Sequence, residues 1–150
     1  MKLNAILLKG IAAGFVATAI LSALMLTKKW LPQFDTVTLL DGIANGLALD
    51  AGLPSPFAGW LWHFIVGALV WGWIYAVMEP IIPGRRPWRK GMYFGLMVTL
   101  LVWFTVMPLA RAGAFETDLS WMQAFVSLIQ HLIYGVALAL AFDRLPIGKQ

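Results

Sequence analysis

Four segments of this chain are each long enough and apolar enough to cross a hydrocarbon layer: residues 6–26, 56–78, 88–107 and 121–142. A bilayer core takes about 20 predominantly apolar residues in helical form, and in lipid a helix satisfies its backbone polar groups without outside partners. Four such segments in 150 residues leave little room for a soluble domain. The expected fold is therefore all-α, a single integral membrane bundle of four transmembrane helices. The composition agrees, at 61% hydrophobic and 12% charged, too few charges to cover a water-facing surface. The segment ends carry ordinary helix chemistry. Ser55-Pro56 reads as an N-cap followed by a helix-starting proline, and Ser120 with Gln123 as a capping box. Pro80 and Pro83 close the second span and Pro108 the third. There is no cysteine, which excludes disulfides and thiolate sites.

The charges orient the bundle. If the spans alternate, Lys2, Lys9, Arg85, Arg86, Arg89, Lys90, Arg144 and Lys149 fall on one side, eight of the eleven basic residues. The other side holds Lys28, Lys29 and Arg111 with Asp35, Asp41, Asp50, Glu116 and Asp118. Short basic loops stay in the cytoplasm, so both termini are expected there, in the inner membrane of a bacterium. The basic balance then reports topology and contact with anionic membrane lipid, not nucleic acid. Trp30, Trp60, Trp88 and Trp121 sit near span ends, where indoles anchor at the interface.

The halves of the chain look alike. Lys9-Gly10, Gly14 and Thr18 in the first span recur at identical spacing as Lys90-Gly91, Gly95 and Thr99 in the third. His63 with Gly67 in the second recurs as His131 with Gly135 in the fourth. Two helical hairpins of one pattern make a parallel pseudo-repeat, its axis along the membrane normal. Small residues four apart let helix backbones approach closely, so Gly10, Gly14, Thr18, Gly91, Gly95 and Thr99 are predicted packing positions, with the first and third helices touching. The first external loop adds a short amphipathic helix over about 36–49, with Val37, Leu40, Ala44 and Leu47 on one face and Asp41 and Asn45 on another. It is too short to span and is expected at the outer interface.

His63 and His131 are the only histidines, and both lie within apolar spans. Ionisable groups there face the bundle interior or a watery cavity, and these two are expected at similar depths. Three readings stay open. Each imidazole is bonded to a local partner such as Ser127, Gln130, Thr18 or Thr99 and fixes packing. Alternatively the pair ligates one b-type haem, with Gly67 and Gly135 making room for the macrocycle edge. Or the pair lines a path for protons or a small solute. Two histidines without a nearby carboxylate or thiolate make no complete zinc or copper site. Glu79 and Asp143, at the basic end, are expected to pair with Arg85 or Arg144.

The run from Gly59 to Gly67 (Gly-Trp-Leu-Trp-His-Phe-Ile-Val-Gly), the Lys90-Gly91…Gly95 start, the His131-Leu132-Ile133-Tyr134-Gly135 run and the Met107-Pro108-Leu109-Ala110 exit occur together here. In this combination the chain resembles a family of small four-helix bacterial inner-membrane proteins of unknown function, over nearly its whole length. The resemblance implies a bacterial source and the four-span architecture, and it carries no catalytic residue. Small size and small-residue helix faces point to a non-catalytic accessory or interaction subunit, partnered with other membrane subunits or itself, in a larger inner-membrane complex such as a respiratory one. A haem-binding electron-transfer unit and a small transporter or channel are the alternatives.

Overall fold

The computed structural model describes residues 3–26, 57–106 and 121–147, all helix and turn with no strand among them. The helices are α1 (Leu3–Leu26), α2 (Phe57–Met78), α3 (Pro87–Leu101, continuing as a π-helix over Val102–Val106) and α4 (Trp121–Arg144). Helices α1, α2 and the Ala124–Arg144 stretch of α4 are long and apolar enough to cross a membrane by length and composition. Helix α3, whose described stretch ends at Val106, is not among these three. The external helix at 36–49, the Ser55-Pro56 and Ser120 caps, and the Pro108 exit lie outside the described residues.

Helix α2 is α-helical over Phe57–Phe64 and Gly72–Met78 but wound as a π-helix over Ile65–Trp71. No proline interrupts it, and the packing supplies a reason. Residues five apart on an α-helix point about 140° away from each other, whereas the wider i→i+5 winding brings them much closer to one face. Both Gly67 and Gly72 thereby face α1, at Thr18 and Gly10. Met78 ends the helix short of Pro80, and Gly84, at φ +118°, makes the turn into α3 in a conformation that favours glycine.

The sequence pattern predicts contact between α1 and α3, but the glycine faces close instead on the next helix of each hairpin. Gly10 meets Gly72 and Gly14 meets Ala68, while Gly91 meets Gly135 and Gly95 meets His131 and Leu132. Helix α4 also packs along α1, whereas α1 and α3 share no extensive contact. Small residues on both sides of each hairpin explain the preference, since two backbones approach closely only if neither carries a bulky Cβ. Larger rings fill the wider gap between α2 and α3. Phe94 takes Tyr75 at 5.0 Å and Trp71 at 6.3 Å between ring centroids, both edge-on, and Tyr75 reaches Phe142 of α4 at 5.4 Å. Edge-to-face geometry at these distances is the favoured aromatic arrangement.

What is buried and what is exposed runs opposite to a water-soluble bundle. On α1 the buried positions include Gly10, Ala13, Gly14, Ala17, Thr18 and Ser22, while Leu8, Phe15, Val16, Ile20 and Leu24 are exposed. On α3, Gly91, Gly95 and Thr99 are buried and Met92, Tyr93, Leu96 and Leu100 exposed.

Candidate functional site

The glycines that mark the crossings also set the polar chemistry along α1. Four residues after Gly14, the Thr18 hydroxyl donates to the Gly14 carbonyl at 2.8 Å, and Ser22 repeats the bond onto Thr18 at 2.8 Å. Thr99 does the same to Gly95 at 2.9 Å. These i→i−4 bonds satisfy hydroxyls that otherwise lack a partner in an apolar interior. Buried Ser22 then meets His63, whose Nε2 lies 3.1 Å from the serine oxygen. The sequence reading names Ser127, Gln130, Thr18 and Thr99 as histidine partners, and Ser22 is the residue it misses. The signal is present as the continuation of the Gly14-Thr18 spacing by four more residues. Trp60 and Phe64 present ring edges to the same imidazole at 5.6 and 5.8 Å.

His131 stands differently. Its Nδ1 is buried with no hydrogen-bond partner, although the Ser127 backbone is near enough to interact with the ring. The repeat spacing equates His63 with His131, yet relative to the crossings the two are not equivalent. Gly14 packs on Ala68 where Gly95 packs on His131, and Gly10 packs on Gly72 where Gly91 packs on Gly135. The structural equivalence in α2 is therefore displaced by five residues, the interval from Gly67 to Gly72, and His63 lies about a turn farther from the basic end than His131's counterpart. Tyr134 ties the hairpins together, its hydroxyl donating to the Gly67 carbonyl in the π-helix at 2.6 Å.

The geometry does not fit a haem between these histidines. Gly67 and Gly135 are needed as open space, but the first is covered by Thr18, whose Cγ2 lies 3.1 Å from where a Cβ would stand. The second is covered by Gly91 and by Gly95, whose Cα would be 3.0 Å away. His63 Nε2 is engaged with Ser22. Among the described residues no three histidine, aspartate or glutamate side chains converge.

A polar cavity of ≈ 290 Å³ opens at the basic end, lined by Lys9, Tyr75, Glu79, Arg85, Pro87, Lys90, Ala139, Phe142 and Asp143. Four helices and the α2–α3 turn contribute to it. Lys90, in the second turn of α3, reaches the end of α2 and donates to the Glu79 carboxylate at 2.6 Å and to its carbonyl at 2.9 Å. Glu79 thus pairs with Lys90, not with Arg85 or Arg144. Lys90 projects from a rigid helix facing the C-terminus of α2, while Arg85 sits exposed on the turn. Its repeat mate Lys9 is only 6% exposed, and no carboxylate of the described residues lies within salt-bridging distance. The face of Phe142, 4.7 Å from the ammonium nitrogen, is its described partner. Charge counting places Lys9 among loop cations. The sign of burial is its position immediately before the crossing glycine, the same as that of Lys90 before Gly91.

No curated protein and no solved structure matches the chain. The family of unknown function DUF6789 matches residues 5–149, covering all but the first two residues of the four helices and every described residue of the basic cavity. On that coverage the chain belongs to the family of unknown function DUF6789.

Proposed function

We propose that this protein is a four-span bundle of the bacterial inner membrane, a parallel pair of hairpins with both termini cytoplasmic. Its proposed role is that of a non-catalytic accessory or interaction subunit of a larger membrane assembly. The observation that carries this reading is the distribution of side-chain size. Backbone contacts between Gly, Ala and Thr positions close the interior, and large apolar residues on all four helices point outward. Lipid is as apolar as leucine, so such a bundle is held by close backbone packing and leaves its bulky side chains to lipid or to another subunit.

The rival roles need features that the packing works against. Electron transfer through a haem needs the space beside Gly67 and Gly135 that neighbouring helices fill. Transport needs a polar path, whereas Phe94, Val98 and Leu138, each at most 1% exposed, fill the interior above the basic cavity. An accessory role asks only for an outer surface and a stable fold.

The test is purification from native membranes in a mild detergent, with reporter fusions to place the termini. The expected result is cytoplasmic termini and stoichiometric recovery with a larger membrane partner, whose deletion lowers the level of this chain. Recovery as a lone monomer whose level depends on no other protein overturns the accessory role. A periplasmic terminus overturns the orientation.

A further inference from the structure

The basic-end cavity holds a cation that no carboxylate among the described residues neutralises. Lys9 is 94% buried by its 6% exposure, its ammonium group bears on the Phe142 ring at 4.7 Å, and it lines a polar space of ≈ 290 Å³. A buried charge without a counter-charge is costly, and a ring face offsets only part of that cost. The two carboxylates in the wall do not serve it. Glu79 is held by Lys90, and Asp143 is engaged in an interaction of its own. Tyr75, 1% exposed, also lines the space. The first turn of α3 begins at Pro87 on the same wall, with no side-chain cap on its N-terminus. Each of these features favours a negatively charged guest.

The charge of the guest follows from the wall. Among the described residues of the wall, Lys9, Arg85 and Lys90 face Glu79 and Asp143, a formal excess of one positive charge. The C-terminal ends of α2 and α4 meet here too, and their carbonyls disfavour a second negative charge on the guest. The nature of its remainder follows from the adjacent face of α4. An apolar groove of ≈ 720 Å³ runs between Val16 and Ile20 of α1 and Leu132, Val136 and Leu140 of α4, ending at Arg144. From Leu132 to Arg144 is about 18 Å along a helix, a little more than the ~15 Å hydrocarbon depth of one leaflet.

We propose that the cavity is an oxyanion site for a singly charged phosphodiester, the headgroup phosphate of an anionic phospholipid, with Lys9 as its central cation and Arg85 at its mouth. The assignment rests on the orientation proposed above, which puts this end at the inner leaflet, where basic pockets between helices meet anionic headgroups.

The test measures binding of phosphatidylglycerol and phosphatidylcholine to the full chain by native mass spectrometry and by the shift in thermal unfolding in detergent. Lys9→Met, Lys9→Arg and Arg85→Gln are compared with the parent. Phosphatidylglycerol is expected to bind and stabilise selectively. Lys9→Met should lose at least about tenfold in that selectivity, Lys9→Arg should retain most of it, and Arg85→Gln should weaken it several-fold. Equal binding of both lipids by the parent, or undiminished selectivity in Lys9→Met, overturns the proposal. Should Lys9→Met not fold, Arg85→Gln decides, because that side chain is exposed and its loss leaves the packing intact. Inorganic phosphate is the second arm. Lys9-dependent stabilisation by phosphate alone, with no preference between the lipids, overturns the lipid assignment and gives the site to a free oxyanion. Partner recovery from membranes is read on the parent chain, so failure of the accessory role and failure of this site are separate results.

Discussion

Replacing Gly135 with alanine tests the tightest of the glycine approaches among the described residues. The added methyl carbon would stand 2.8 Å from the Gly95 nitrogen and 3.0 Å from the Gly95 Cα, and closer still to the Gly91 carbonyl oxygen. Ordinary carbon contacts lie at 3.5–4.0 Å, and these atoms are helix backbone that cannot turn aside, so α3 and α4 must separate by about 0.5–1 Å. A gap of that size forfeits roughly a quarter to a half of each dispersion contact; across on the order of 30 atom pairs worth about 0.1–0.2 kcal/mol each, the loss is about 1–3 kcal/mol. The usual gain of alanine over glycine in helices gives little back, since a chain unfolded within lipid remains helical. The assay is reversible unfolding in mixed micelles of denaturing and mild detergent, followed by tryptophan fluorescence. Leu96→Ala serves as the control, since Leu96 is exposed. A second substitution, Gly91→Ala, should cost less in the Gly135→Ala background than alone, because the helices have already parted there. A Gly135→Ala chain as stable as its parent, or costs for the two glycines that simply add, would show that the backbones are not in contact and refute the packing argument.

Three further outcomes follow from the polar contacts. Tyr134→Phe removes the hydroxyl that donates to the Gly67 carbonyl across the hairpins, and should cost about 0.6–1.7 kcal/mol in the same assay. His63→Ala and Ser22→Ala, taken singly and together, should show a coupling of roughly 0.5–1.5 kcal/mol from their shared hydrogen bond; zero coupling would remove Ser22 as the partner of His63. Purified protein supplied with haem should show no Soret band and no sharpened α and β bands on dithionite reduction, since Thr18, Gly91 and Gly95 cover the space beside the two glycines. A band abolished by His63→Ala or His131→Ala would restore the electron-transfer role.

The chain's periodicities and segment lengths determine a good deal by themselves. Apolar runs bounded by Pro80 and Pro83, and the four-residue spacing of Gly10-Gly14-Thr18 and Gly91-Gly95-Thr99, predict the helices and mark the faces that become buried. These are local properties, set by the 3.6-residue turn and by the absence of a Cβ at glycine. Whole-chain pattern is also enough to indicate the family, which the match over 5–149 shows.

What the sequence does not contain is the choice of neighbour. A face of small residues fits any other such face, and lipid and helix interior are equally apolar, so hydrophobicity does not specify which helix covers which. Tertiary packing joined α1 to α2 and α3 to α4. It wound Ile65–Trp71 into a π-helix that shifts the α2 crossing by five residues, and so separated two histidines that the repeat makes equivalent. The same packing gave His63 to Ser22, left His131 Nδ1 without a partner, and turned Lys9 from a tail cation into the buried wall of a cavity. Each of these depends on which side chains from distant segments meet, and that is a property of the assembled bundle and of no single helix.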